Sequence, residues 1–307
     1  MRLEKFKHYF FILPGVAIAL SLIALFVWGL KPGIDLKGGS LLEVAYPDGR
    51  PEVALLQERI APLEFGEVRI QPAGESEYVL RQRSLTQEEK EKLDTVLESF
   101  GKVEEVQYNS VGPSIGEELM RKAWWAVGLV SLCTIVFIAF AFRGVSKPVS
   151  AWKYGLVAIV TLLHDILIPT GYFAYLGHAR DAEVGVLFIV ALLTILGISI
   201  NDTIVVFDRI RENLTLNEQK RQHQEFEFVV WKSITQTMAR SINTSVTVII
   251  MLVVLYLMGP ESTKDFSLTL TIGMIAGTYS SIFLASPLLV LISEYWKSPE
   301  KEVKKVS

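Results

Sequence analysis

The chain reads as an α-helical multi-pass membrane protein of six transmembrane helices with an inserted α+β ferredoxin-like extracytoplasmic domain. Three observations predict this. Half of its 307 residues are hydrophobic and the mean hydropathy is +0.37. Six apolar runs approach the ~20 residues needed to cross ~30 Å of hydrocarbon. Between the first two runs, residues 31–122 carry the charge density of an aqueous domain, and helix and strand periodicities alternate along them.

The first run, Phe10–Leu30, follows Arg2, Lys5 and Lys7. It is too long for a signal-peptide core and no small-x-small cleavage pattern closes it, so residues 1–30 read as an uncleaved anchor. The remaining spans fall in residues 123–296, at Trp124–Phe142, Trp152–Leu176, Val184–Phe207, Asn243–Met258 (starting nearer Met238) and Phe266–Ile292. Lys and Arg gather before span one, between spans two and three (Arg143, Lys147, Lys153), in the 209–238 loop and in the basic tail 297–307. The short loops on the opposite side, Gly177–Glu183 and Gly259–Asp265, hold only Arg180 and Lys264. The positive-inside rule then puts both termini in the cytoplasm and residues 31–122 outside the cell membrane.

Within the insert, Ser40–Tyr46, Glu67–Gln71, Glu77–Arg83 and Lys102–Tyr108 read as strands, with helices over Pro51–Leu63 and Thr86–Phe100. Thr86-x-x-Glu89 is a capping box, Leu93, Val96, Leu97 and Phe100 form one apolar face, and Gly101 supplies a C-cap. The β-α-β-β-α-β order is ferredoxin-like. The insert lacks histidine, cysteine and a nucleotide-type loop. Gly33-Ile-Asp-Leu-Lys-Gly-Gly39 has glycines but not the strand-loop-helix setting of a phosphate site, and reads as a tight exit from span one into the first strand.

Composition also excludes function classes. A net charge of −3 without a basic stripe argues against nucleic acid. Cys133 is the single cysteine and lies in a span, so neither an intrachain disulfide nor a cysteine metal cluster is expected. No nucleophile-base pair or metal-ligand set is evident; no enzyme, cofactor or metal is predicted.

The chemistry points instead to carboxylates inside the membrane. Asp202 lies 18 residues into Val184–Phe207, and Arg240 lies 18 residues before Met258 on the next, oppositely directed span. At ~1.5 Å per residue both sit ~27 Å below the outer edge. A carboxylate so placed, level with a permanent cation, can load and release a proton as its surroundings change. The competing readings are a structural hydrogen-bonding role for Asp202, supported by Ser199 and Asn201, and simple snorkelling for Arg240. His164-Asp165 in span three is a second ionisable pair, either a relay or a helix-helix contact; Pro169 four residues on predicts a kink or hydrated notch. Gly273-x-x-x-Gly277, amid the hydroxyls of the last two spans, predicts close helix packing.

Several stretches resemble the SecF family of six-span export subunits. They are Ser199-Ile-Asn-Asp-Thr-Ile-Val-Val-Phe-Asp-Arg-Ile-Arg-Glu-Asn213, Gly33–Gly39, Val111-Gly-Pro-Ser-Ile-Gly-Glu-Glu-Leu119, His164-Asp165, Arg240-Ser-Ile-Asn-Thr-Ser245 and Gly273–Pro287, in family order over essentially the whole chain. Leu36 departs from the family, which usually has an aromatic there. The resemblance implies partnership with SecD, in a complex like two halves of a resistance-nodulation-division transporter. It implies use of proton or sodium motive force to draw polypeptide out of the SecYEG channel. It also implies that Asp202 matches the family's essential membrane carboxylate and Arg240 its functional arginine. Two alternatives stay open: a small-molecule efflux half, disfavoured by so small an insert, and a non-catalytic assembly subunit.

Overall fold

The computed structural model describes residues 7–141, 150–222 and 224–295. Arg2, Lys5, Arg143, Lys147 and the basic tail 297–307 lie outside the described residues.

The first helix, α1 (Lys7–Val27), leads through a short turn to α2 (Ile34–Lys37) and strand β1 (Gly39–Ala45). Helix α3 (Val53–Ile60) runs on through one 3₁₀ turn, Ala61–Leu63, before β2 (Arg69–Ala73), β3 (Glu77–Gln82), α4 (Gln87–Glu98) and β4 (Glu104–Val111). The strands form one antiparallel sheet in the order β2-β3-β1-β4, the ferredoxin-like order expected of the sequence. The capping box forms in full: Thr86 Oγ1 accepts the Glu89 N–H, and Glu89 Oε2 accepts the Thr86 N–H. Gly101, two residues past the helix cap Ser99, takes a φ of +141°.

Alternation along the strands separates two faces. Leu42, Val44, Tyr78 and Leu80 point towards α3 and α4, where Leu56, Leu93 and Leu97 complete a sealed core. Each such buried side chain contributes roughly 1.5–3 kcal/mol. Leu41, Glu43, Arg81, Gln107 and Asn109 line the other face, which looks onto the end of the helical bundle.

The six spans are α1, α5 (Pro113–Ala141), α6 (Ala151–Arg180), α7 (Val186–Gln219), α8 (Phe226–Met258) and a sixth built from α9 (Glu261–Ser280), a π turn (Ser281–Ala285) and α10 (Ser286–Tyr295). Helices outlast the apolar runs because polar residues continue a helix in water as readily as apolar ones in lipid. Thus α5 begins at Pro113, eleven residues before Trp124, and most of 209–238 is helical, α7 continuing to Gln219 and α8 starting at Phe226. There α7 and α8 are joined by Asn213 bonding Ser233 and Gln236, and by Arg209 bonding Gln236. Helix α6 runs continuously through Pro169.

Burial is uneven. Spans α6, α7 and the sixth form the centre, while α1, α5 and α8 leave most of their surface exposed. One apolar cluster (Tyr154, Val157, Phe207, Ile210, Ile234, Leu289) fills the end remote from the sheet. A second (Leu36, Phe173, Phe188, Ile195, Leu252, Met274) fills the end beneath it.

Candidate functional site within the bundle

Between the two apolar clusters lies a polar layer. Asp165, fully buried on α6, is its hub. Asp165 Oδ1 lies 2.7 Å from His164 Nδ1. Its Oδ2 accepts hydrogen bonds from Ser199 Oγ on α7 and, at 2.8 Å, from Ser280 Oγ on α9. One carboxylate therefore joins spans three, four and six. An unpaired buried carboxylate would be costly, and these donors are what hold it there.

Ser280 Oγ also lies 3.0 Å from Gly277 O, and its single O–H serves one acceptor at a time. Beside it, Ser281 Oγ lies 3.0 Å from Thr203 Oγ1 and 2.8 Å from Gly277 O. Ser281 opens the π turn, a local widening found often where helices carry function.

The close approach that makes these bonds possible depends on two glycines. A Cβ on Gly273 would stand 2.2 Å from Ile195 Cδ1, and one on Gly277 3.1 Å from Ser199 Cβ. Gly277 in particular lets α9 sit against α7 at the level of Asp165.

Asp202 lies one turn beyond Ser199 on α7 and is half-buried. Its Oδ1 accepts a hydrogen bond from Ser241 Oγ on α8 at 3.1 Å. Arg240, the preceding residue on α8, is exposed and lies within electrostatic reach of the same carboxylate. Among the described residues the two form no direct ion pair. Asp202 and Arg240 thus stand at one level on neighbouring spans, with Ser241 as the bonded contact.

The remaining sequence candidates separate. Ser199 serves Asp165, not Asp202. Asn201 is exposed, and the structure brings it to neither carboxylate. Sequence reasoning missed Ser241, Ser280, Ser281 and Thr203 as individual partners; their signal was the density of hydroxyls in otherwise apolar helices. Among the described residues, no group of three His, Cys, Asp or Glu is arranged to hold a metal.

Residues 92–295 match the family model described as "Protein export membrane protein SecD/SecF, C-terminal", and residues 23–46 match "SecD/SecF GG Motif". The chain is 40% identical to the protein translocase subunit SecF of Thermobaculum terrenum, over 93% of this chain and 92% of that one. It is 35% identical to the same-named subunit of Anaerolinea thermophila, over 96% and 93% respectively. Among solved structures, SecDF from Thermus thermophilus, a translocon-associated membrane protein, superposes with a TM-score of 0.81 at 31% identity. That match covers 96% of this chain but only 39% of the solved one.

Proposed function

Because the chain belongs to the SecF group of the SecD/SecF protein-export family, we propose that it is the SecF half of a SecD–SecF complex that uses proton or sodium motive force to promote Sec-dependent export. On this reading it partners SecD and SecYEG, handles translocating polypeptide, and is a transport subunit rather than an enzyme. Asp202 is the coupling group, Arg240 its electrostatic partner, and His164, Asp165 and Ser199 a supporting relay. Asn201, turned outward, is left as the weakest member of that set.

The observation that carries the reading is Asp202 itself: a half-buried carboxylate inside a membrane span, bonded to Ser241 and level with Arg240. A charge there costs several kcal/mol unless it has a partner or a water path, and such residues mark ion pathways. Entry of a cation or proton changes the charge balance between α7 and α8. The contacts available to the two helices change with it, which is the differential interaction a conformational cycle requires.

Sidedness follows the charge bias of the loops. The sheet domain is extracytoplasmic, both termini are cytoplasmic, and the Asn213–Ser233–Gln236 network lies on the cytoplasmic side. The test is Asp202→Asn, which keeps size and hydrogen bonding but cannot hold charge. It is expected to insert and assemble normally and to lose force-dependent export.

A further inference from the structure

Besides packing on α5, into which its last strand leads, the outer domain is bonded to the start of α7. The backbone of Val184 pairs with the residues flanking Pro32: its N–H donates to Lys31 O at 2.7 Å and its carbonyl accepts from Gly33 N–H at 2.8 Å. Proline suits this place, because the pairing asks nothing of its missing N–H. Asp35 Oδ2 then accepts the N–H of Val186 at 3.0 Å. That N–H is one of the donors a helix start leaves open, and a carboxylate suits the positive end of the helix dipole. Glu183, its side chain only 9% exposed, lies 3.6 Å from Arg81 and 3.8 Å from Arg69, both on the sheet.

The joint is also closed sterically. A Cβ on Gly33 would meet Glu183 Cβ and Val184 O at 3.2 Å, and one on Gly185 would lie 2.6 Å from Asp35 Oδ2. Next to Asp35, Leu36 plugs into the apolar cluster at the top of the bundle. Gly38, at φ +82°, backs onto Pro113 and Gly116 of α5, where a Cβ on Gly116 would meet Gly38 N at 2.5 Å.

We infer that Asp35 is a positioning residue: by capping α7 it makes the outer domain and span four one mechanical unit, so that a shift of that span is delivered to the outer domain. Helix α7 runs unbroken from Val186 past Asp202, a lever of about 24 Å. The drive at Asp202 rests on the function proposed above; the tie does not. A crevice of about 500 Å³ borders the joint, with Leu41, Gln107 and Asn109 on the sheet and Phe188, Arg180 and Asp265 on the bundle. A tilt of α7 carried through the joint changes the width of that crevice.

The test uses the SecD-containing complex in inverted membrane vesicles, with Cys133, the chain's single cysteine, replaced by serine. Export is measured with the motive force intact and with it collapsed by an ionophore. Asp35→Ala is expected to lower the force-dependent part at least fivefold and leave the remainder unchanged. Asp35→Asn, whose side-chain oxygen can accept the same N–H, retains at least half. Residues 32 and 184 are bridge partners, at a separation a disulfide can span. In the Asp35→Ala background, an oxidised Pro32→Cys/Val184→Cys pair is expected to return export to within twofold of the parent, and the reduced pair is not.

Three results overturn the tie: parental export by Asp35→Ala, an oxidised pair that restores assembly without export, or loss of export when the oxidised pair is placed beside an intact Asp35. Asp202→Asn in the same vesicles separates the two proposals. If it exports normally the drive fails, whatever Asp35 does; if it fails while Asp35→Ala is indifferent, only the tie falls.

Discussion

Ser241 Oγ donates to Asp202 Oδ1 at 3.1 Å, so the span-four carboxylate is tethered to span five by the residue next to Arg240. The serine is buried while its neighbour Arg240 is exposed. One neutral contact therefore sets the spacing between the Asp202 and Arg240 side chains. A hydrogen bond to a charged group contributes about 1.5–3 kcal/mol. Ser241→Ala is accordingly expected to leave assembly intact and lower force-dependent export by roughly tenfold, with Ser241→Thr close to the parent. Vesicle export assays at matched complex levels check both.

Asp165 makes a different prediction, because its bonds serve three helices at once. Interhelical hydrogen bonds in membranes average ~0.6 kcal/mol, so the two to Ser199 and Ser280 amount to about 1 kcal/mol. Asp165→Ala also strands His164 and Ser199 in a sealed interior, while Ser280 can still donate to Gly277 O, and it is expected to destabilise by more than that sum. Asp165→Asn, which can still accept from a serine, should cost less. Thermal midpoints of the purified protein in detergent give the ordering parent, Asn, Ala.

Gly273 and Ile195 are coupled by shape. An added Cβ at 2.2 Å from Ile195 Cδ1 forces repacking, and overpacking of this kind costs about 1–3 kcal/mol. Gly273→Ala should destabilise, and Ile195→Ala should destabilise by leaving a void. Together they are expected to fall short of their sum by about 1 kcal/mol or more, since the new methyl occupies the vacated space. A double-mutant cycle on detergent unfolding midpoints measures this.

The sheet domain carries a pH-sensitive cap. Hydrogen bonds from the Arg83 guanidinium, then from the Thr86 backbone, hold the Glu89 carboxyl down at about 2, against an ordinary value of 4.5. Its folded value lies below its unfolded one, so its stabilisation is present above pH ~4.5 and is lost as the pH falls towards 2. The gap in thermal midpoint between the parent and Glu89→Gln should be widest near neutral pH and close across that acid window.

Much of the fold was legible because its signals are local. The capping box at Thr86 and Glu89, the strand alternation and the apolar runs each depend on residues within one element. Asp202 was legible for a related reason: a charge in an apolar run stands out without knowledge of its neighbours. The bonding partners were not legible, since they depend on how helices rotate against one another. Ser199 sits three residues before Asp202, yet it faces α6 and serves Asp165. The π turn at Ser281 has no periodic signature, being a single turn. Asp35 meets Val186 across 151 positions of sequence, and nothing near either residue announces the other. Helix ends at Pro113 and Gln219 escaped for a simpler reason: hydropathy reports where lipid ends and not where the helix does.

On the proposed function, charge on Asp202 couples an ion gradient to export. The decisive experiment is force-dependent export into inverted vesicles carrying Asp202→Asn as the sole copy, with complex abundance quantified alongside. Normal insertion and abundance are expected, with force-dependent export reduced to the level seen when an ionophore collapses the gradient. Parental export that still responds to the gradient, from a chain that holds no carboxylate at this position, would contradict it.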